Sequence, residues 1–362
     1  MRGPIIGWDV GGANVKAARI EDGQSEPSMF ERPLPLWRDL RRLPAVLAEA
    51  ADSLGPAGTM GVTMTAELAD CFSSKREGVA GVLDAFGAAF PGVEPWVYGT
   101  DGAFRPAAAA RQEWSQVAAA NWMAGATLVA RMFPEALFVD VGSTTTDIIP
   151  IVGGHVTARG KTDPARLRSG ELVYTGVLRT PVCATVRFVP LRGRRCRVAA
   201  EHFAVLADVH RWLGRINDSE YTCDTPDARG RSRLESGARL ARMVCADLEM
   251  LGAAGVTAIA EYVARAQIRQ IGSGLRQVMR RLGTRCPRMA VVAGQGGFVA
   301  REAAEEVGLV THDLADGMGA AVARAAPAAA VAYLLGDWIK AQVTSHKGQV
   351  TRSNLRLVTS DL

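Results

Sequence analysis

A strand–turn–strand segment occurs twice in this chain. Ile5–Arg19 reads IIGWDVGGANVKAAR and Leu137–Pro150 reads LFVDVGSTTTDIIP. In each copy an apolar run ends in an Asp, Asp9 or Asp140, and Val-Gly follows, Val10-Gly11 or Val141-Gly142. A charged residue, Lys16 or Asp147, stands seven positions after each Asp. An internal repeat of this kind predicts two similar half-domains facing each other. One DVGG alone is an ordinary hairpin turn. Two copies, each after an apolar strand, favour a ligand-holding role.

The chemistry such turns suit is phosphate holding. Gly11, Gly12 and Gly142 lack a Cβ, so the backbone can approach an anion and offer successive N–H groups. Ser143, Thr144 and Thr145 add hydroxyl donors in the second copy. On an extended strand Asn14 and Lys16 share one side, and Val15 and Ala17 the other. Asp9 and Asp140 are hard oxygen ligands for Mg²⁺, direct or through water. A third glycine turn, Gly294-Gln295-Gly296-Gly297, follows the apolar strand Met289–Ala293 and precedes a helix expected from Phe298. A strand, a glycine turn and a helix N-terminus make an anion or nucleotide-edge site, although glycines also pack strands against helices.

The chain has 362 residues, enough for two domains, and 48% are apolar, which excludes a disordered chain. A net charge of +5 and a pI near 9.0 raise the question of nucleic acid. No zinc-finger spacing, RNA-recognition signature or long basic run follows, and aromatic residues are sparse. The charge, concentrated in segments such as Arg192–Arg197 and Arg276–Arg288, reads as a solvated surface biased toward small anions. Six scattered cysteines form no CxxC pair and predict reduced, mostly buried thiols in a cytoplasmic protein. No signal peptide is legible. The longest apolar stretch, Gly317–Leu335, contains Arg324 and Pro327, and so predicts a buried Ala-rich helix and no membrane span.

In order, the patterning predicts strands at Ile5–Trp8, Asn14–Ile20 and Ser28–Leu34, then a helix over Trp37–Leu54 whose start Pro44 shifts to about its own position. A strand at Thr59–Thr65 delivers Glu67 and Asp70 to its end. Two carboxylates at i and i+3 suit a general base and its partner. The same spacing suits an acidic pair at a helix N-terminus, and spacing alone leans to that. Helices are expected over Glu77–Phe90 and Glu113–Arg131, and the latter closes a first half, residues 1–133. The second half, residues 134–336, carries a polar segment, residues 161–180, with Arg166, Arg168, Tyr174 and Arg179. This segment reads as a substrate loop or as an ordinary surface connection. A hairpin over Arg187–Val198 turns at Gly193, and His202 and His210 fall on the next expected helix without an assigned role. Asn217–Arg233 reads as a mobile loop, Leu234–Leu251 and Thr257–Leu282 as two helices, and residues 337–362 as a polar tail.

The motif order DVGGANVK, DVGSTTTD, AGQGG and an Ala-rich closing helix resembles the actin, Hsp70 and sugar-kinase superfamily. That resemblance implies an α/β fold of two related actin-like (ribonuclease H-like) half-domains around a phosphate-binding cleft. Ala13 stands where that superfamily often has Ser or Thr, so its side chain offers no hydroxyl at that position. The DVGSTTTD turn resembles the hydantoinase A/oxoprolinase branch. TMTAELADCF, AANWMA, RSGELVYTGVLRTPV and VVAGQGG resemble a family of the tetrahydromethanopterin- and methanofuran-linked one-carbon pathway.

That family resemblance implies a transferase joining an aminomethylfuran-methyl diphosphate to a tyramine-type phenol, with release of diphosphate. It implies Mg²⁺ on Asp9 and Asp140, with diphosphate held by Gly11, Gly12, Asn14, Lys16, Gly142, Ser143, Thr144, Thr145 and Asp147. Gly294, Gly296 and Gly297 add a further phosphate or nucleotide contact. Glu67 and Asp70 become the expected bases, and Arg168, Tyr174 and Arg179 the holders of the carboxylate end of the phenol. Two other classes remain open: an ATP-using kinase or hydantoinase-like hydrolase, and a nucleotide-responsive module without turnover. A homo-oligomer is compatible with all three.

Overall fold

The computed structural model describes residues 3–24 and 26–358, with side chains through residue 342. Its contacts divide the chain into two units, residues 1–128 with 325–362, and residues 129–324. The boundaries expected at 133 and 336 differ from these, because the last helix returns to the first unit.

The first unit begins with β1 (Ile5–Val10), β2 (Asn14–Ile20), β3 (Ser28–Pro33), α1 (Leu43–Leu54), β4 (Thr59–Met64) and α2 (Lys75–Ala89). It continues with β5 (Trp96–Tyr98), β6 (Phe104–Pro106), α3 (Ala107–Gln112), α4 (Trp114–Val117) and α5 (Asn121–Met132), whose residues 129–132 fall in the second unit. Pro44 sits in the first turn of α1, where its missing N–H costs nothing. The single helix expected over Glu113–Arg131 is broken by Ala119, whose φ of 50° no helix accommodates.

The second unit begins with β7 (Ala136–Val141), β8 (Thr146–Val152), β9 (His155–Val156), α6 (Asp163–Ser169) and β10 (Leu172–Val173). α7 (Val182–Thr185), β11 (Phe188–Leu191), β12 (Arg194–Arg197), α8 (Leu206–Trp212), α9 (Arg233–Arg242) and α10 (Leu248–Leu282) follow. β13 (Met289–Ala293), α11 (Gly297–Glu306), β14 (Val310–Asp313), α12 (Leu314–Met318) and α13 (Ala320–Arg324) complete it. The break between α9 and α10 falls at Cys245, with φ 56°, and the break expected near Thr257 is a kink at Gly252. The hairpin β11–β12 turns through Arg192 and Gly193, both at positive φ, which matches the twist of its strands.

The two sheets repeat one another. The first has the order β3-β2-β1-β4-β5-β6 and the second β10-β8-β7-β13-β14. In each, the Asp-bearing strand pairs antiparallel with its successor and parallel with a later strand, β4 or β13. This doubled order is the actin-like, ribonuclease H-like architecture.

The chain ends in α14 (Ala326–Val358), with Pro327 in its first turn. The helix expected at Gly317–Leu335 therefore splits. Gly319, with φ 82°, ends α12, and the long helix starts only where Pro327 is tolerated. The tail expected over 337–362 is helical as far as Val358, and residues 359–362 lie outside those described. All six residues of β1 are buried, so both of its faces are covered. Ile6, Trp8 and Val10 face α1 and α2, where Trp8 meets Phe86 edge-on at 5.6 Å. On the other face α14 lies directly on glycine. A Cβ on Gly7 would stand 2.2 Å from the Ala328 carbonyl, and one on Gly61 2.6 Å from Val331 Cγ1. Alanines on α14 and glycines on β1 and β4 let helix and sheet approach this closely, which returns the Ala-rich segment to the first unit.

All six cysteines are free thiols. None is fully buried: Cys71 and Cys245 are exposed and the rest half-buried, contrary to the expectation from composition. Among the described residues no helix is long and apolar enough to cross a membrane.

Candidate functional site

The first turn closes with the Gly11 N–H donating to the Asn14 carbonyl at 2.9 Å, and residues 11–14 are half-buried. Leu34 and Leu36 donate to the Ala13 and Gly12 carbonyls, so the segment after β3 fixes the turn from one side. Nothing lies within 4 Å of a Cβ placed on Gly12, so the turn is open there. Asp9, 8% exposed, shares the Gly7 face by the period of a strand. In register across the sheet stand Thr63 on β4, Asp9 on β1, Lys16 on β2 and Glu31 on β3. The Lys16 ammonium lies 3.7 Å from the Glu31 carboxylate. A buried carboxylate beside a tethered ammonium at the rim of an open glycine turn can accept a metal ion or hold an anion through the cation.

The second turn has the same closure, Gly142 N–H to the Thr145 carbonyl at 2.9 Å. Its surroundings differ. Val177 donates to the Gly142 carbonyl, and Leu178 and Arg179 both donate to that of Ser143. A Cβ on Gly176 would stand 2.4 Å from the Thr144 nitrogen, so the backbone at 176 rests on the turn. The segment at 161–180 is therefore no surface connection. It holds α6 and β10, its Thr175, Gly176, Val177 and Leu178 are buried, and it clasps the turn.

The cross-strand partner of Asp140 is Asp147, where the first copy has Lys16. Two carboxylates directly opposed repel each other. Arg166, 2% exposed, answers this by donating to Asp147 Oδ1 at 2.6 Å and to the Glu171 carbonyl at 3.1 Å. Burial pushes the Asp147 carboxyl up, against the pull of Arg166. Asp147 is thus committed to a buried ion pair behind the turn. Glu171, also fully buried, accepts from the N–H groups of Arg159 and Gly160 and meets Arg281 at 2.6 Å.

The third turn adjoins the second. A Cβ on Gly294, at φ 87°, would stand 2.2 Å from Asp140 Oδ1, and Gly296 N–H donates to the Val141 carbonyl. Asp140, Gly142–Thr145 and Gly294–Gly297 therefore converge within one unit. Gln295 donates to the Glu220 carbonyl and ties down the segment expected to be a mobile loop. That segment is anchored further by Tyr221, whose hydroxyl donates to Asp208, and by Asp227, which pairs with Arg239 and Arg242. Asp208 and Arg239, both wholly buried, meet at 2.8 Å. Burial, with Asp208 adding to it, pushes the Cys223 thiol up to about 12, while Arg179 and Arg231 pull the other way.

His210 lies on α8, but His202 precedes that helix and is exposed. Gln267 donates to the Gly176 carbonyl at 3.0 Å, which leaves its amide oxygen to accept from His210 Nε2 at 2.9 Å. Burial lowers the His210 pKa to about 4.

Glu67 and Asp70 are separated. Glu67 is 1% exposed in a 3-10 turn at Ala66–Leu68, with Lys75 Nζ at 3.1 Å, whereas Asp70 is exposed. Glu67 sits in the first turn of that short 3-10 helix, Asp70 lies beyond it, and neither opens an α-helix. That position in α2 belongs to Glu77, capped by Ser74. Gly78 of α2 presses on the Glu67 backbone, where a Cβ would stand 2.2 Å from its carbonyl oxygen. Of the expected substrate residues, Arg179 lies on the clasp of the second turn. Arg168 is exposed on α6, and Tyr174 is 66% exposed. Among the described residues no three His, Cys, Asp or Glu side chains cluster as metal ligands. Magnesium needs only one or two carboxylates when phosphate and water supply the rest, so single aspartates at glycine turns fit it. The Arg166–Asp147 and Asp208–Arg239 pairs carried no local sequence signal. The glycines at 160, 170 and 176 did mark close backbone approach.

The chain matches the hydantoinase/oxoprolinase family over residues 58–335. It is 34% identical over 337 residues to the (4-{4-[2-(gamma-L-glutamylamino)ethyl]phenoxymethyl}furan-2-yl)methanamine synthase of Methanocaldococcus jannaschii, covering 92% of this chain and 98% of that protein. The synthase of the same name from Methanococcus vannielii is 31% identical over 211 residues, 57% of this chain and 93% of that one. Among solved structures, a ROK family glucokinase from Streptomyces griseus aligns with a TM-score of 0.46 at 14% identity, covering 92% of this chain and 99% of that one. The ethanolamine utilization protein EutJ from Carboxydothermus hydrogenoformans aligns at 0.47 and 12%, covering 91% and 89%. At such likeness the fold rests on the doubled strand order. The chain belongs to the hydantoinase/oxoprolinase family and to the family of these furan-methanamine synthases.

Proposed function

We propose that this protein is an ether-forming transferase of methanofuran-type cofactor biosynthesis. It joins an aminomethylfuran-methyl diphosphate to a glutamyl-tyramine-type phenol. The observation that carries this reading is the 34% identity running through nearly the full length of both chains. The name of that relative describes an aryl–O–CH2–furan ether with an aminomethyl group on the furan and a γ-glutamyl group on the side chain of the phenol ring.

The bond accounting is simple. The phenol oxygen forms a bond to the furan-methyl carbon. The bond from that carbon to the diphosphate oxygen breaks, and diphosphate leaves with the electron pair. The phenolic proton goes to a base. We assign phosphate contacts to the glycine turns of each unit taken by itself: Gly11, Gly12, Asn14 and Lys16 in the first, and Gly142–Thr145 with Gly294, Gly296 and Gly297 in the second. Stabilising charge on the departing oxygens is usually the largest catalytic contribution. Mg²⁺ held by Asp9 or Asp140 would neutralise part of the diphosphate charge. A phenol with a pKa of about 10 needs a base or a strong acceptor, and Glu67, buried beside Lys75, is our assignment over the exposed Asp70. We assign the glutamyl carboxylate to Arg179, which can clamp it in a bidentate pair.

The test is a release assay with Mg²⁺. One reaction holds ATP alone, and the other holds the furan-methyl diphosphate with glutamyl-tyramine. Diphosphate and ether in the second reaction are expected. Phosphate from ATP with no ether formed would move the protein to the ATP-dependent hydrolases or kinases, the alternative its broader family keeps open.

A further inference from the structure

Away from the glycine turns, the second unit contains a cavity of about 400 Å³ between the hairpin strand β11 and helix α10. Arg187 and Phe188 line it from the hairpin side, and Tyr262, Arg269, Gln270 and Ser273 from the helix. None of the residues of the second turn or of its clasp lines the cavity.

Its chemistry is one-sided. No acidic side chain lines the cavity. Among the described residues no carboxylate pairs with Arg187 or Arg269, or with Arg195 and Arg197 of β12, the strand paired with β11. The Arg195 guanidinium lies 4.3 Å from the centroid of the Phe188 ring and that of Arg197 5.3 Å, while Arg269 lies 5.8 Å from that of Tyr262. The buried arginines of this unit, Arg166 and Arg239, are by contrast paired with carboxylates. Two guanidiniums without a carboxylate partner, Arg187 and Arg269, line one concavity, raise the local potential and favour anions. Arginine forks match phosphate and carboxylate oxygens in bidentate fashion. The two aromatic rings offer flat apolar surface, and the Ser273 hydroxyl adds a neutral polar contact. Gln270 is partly engaged, donating to the Thr185 carbonyl at 3.2 Å. The volume falls in the range of small-molecule sites.

We propose that this cavity binds a small organic anion, a flat ring carrying phosphate or carboxylate groups. The ring would stack against Phe188 and Tyr262, and Arg187 and Arg269 would take the charged groups. The site does not depend on the identity of the reaction at the glycine turns.

The test is calorimetric titration of the full chain with phenyl phosphate, isophthalate and inorganic phosphate, repeated on the R187A/R269A and F188A variants. Saturable binding of at least one ring-bearing anion is expected, about tenfold or more weaker in R187A/R269A, as loss of charge-assisted hydrogen bonds predicts. F188A should weaken the ring-bearing probe and leave inorganic phosphate unchanged. Tighter binding of phenyl phosphate identifies a phosphorylated ligand, and tighter binding of isophthalate a carboxylated one. Both arginines are exposed, so their removal should leave the fold intact, and the single variant R269A gives the same reading if the double one melts early. No saturable binding by any probe, or binding unchanged in R187A/R269A, overturns the proposal.

Discussion

Asp9 and Asp140 hold equivalent positions in the two sheets, yet their neighbours carry opposite charge. Asp9 faces Lys16 across the ladder, and Asp140 faces Asp147 with Arg166 behind it. Asp9→Asn and Asp140→Asn remove a charged oxygen without changing shape. Each is expected to lower turnover about 10²-fold or more, the usual cost of losing one electrostatic contact to a reacting group, with an unchanged melting temperature. Wild-type turnover in both variants would remove these aspartates from the chemistry. Arg166 is a different case. Arg166→Met would strand the buried Asp147 charge at a cost of about 3–5 kcal/mol, read as a lower urea midpoint, and adding Asp147→Asn should restore part of it. An Arg166→Met protein as stable as wild type would show that Asp147 is solvated.

At the scale of elements, close approach decides the architecture. α14 can lie on β1 only because Gly7 has no side chain, and Gly61 does the same on β4. Gly7→Ala places a methyl against the Ala328 carbonyl and is expected to cost about 1–3 kcal/mol by overpacking, visible as a lower melting temperature. Gly294 is set by φ as well as by space, since its Cβ would meet Asp140. Gly294→Ala should therefore lower activity through a displaced Asp140 as well as stability. A destabilised variant with full turnover would separate the third turn from the site. The segment at 161–180 makes the same point in reverse. Its polar and glycine residues read as solvent-facing, but Gly176 rests on the second turn, and Arg166 and Glu171 are buried with partners.

For the whole molecule, the response to acid follows from groups buried in the second unit. His210 has an unfolded pKa of about 6.5 and a folded value of about 4. Between these values the unfolded chain binds the extra proton, so stability is full above pH 6.5 and falls as the pH drops toward 4. The loss is about 3 kcal/mol across that window. Urea unfolding of wild type and His210→Gln at several pH values should show this slope in the first and a flatter one in the second. Equal slopes would assign the acid sensitivity to other groups.

Sequence alone determined the doubled strand–turn–strand unit, the α/β class, the positions of both aspartates and the family. The signals are local: an apolar run, an Asp, a glycine turn and a period of two are written within about fifteen residues, and the family follows from several such short motifs along the chain. The hairpin at Arg192-Gly193 and the start of α1 at Pro44 were legible for the same reason. Only the tertiary structure decided which unit receives α14, that the turn at Gly142 is clasped while the one at Gly11 is open above Gly12, and that Asp147, Glu171 and Asp208 are buried with arginines. These outcomes depend on contacts between residues far apart in the chain. Burial and ion pairing there are set by which surfaces meet, and no spacing within one segment records that.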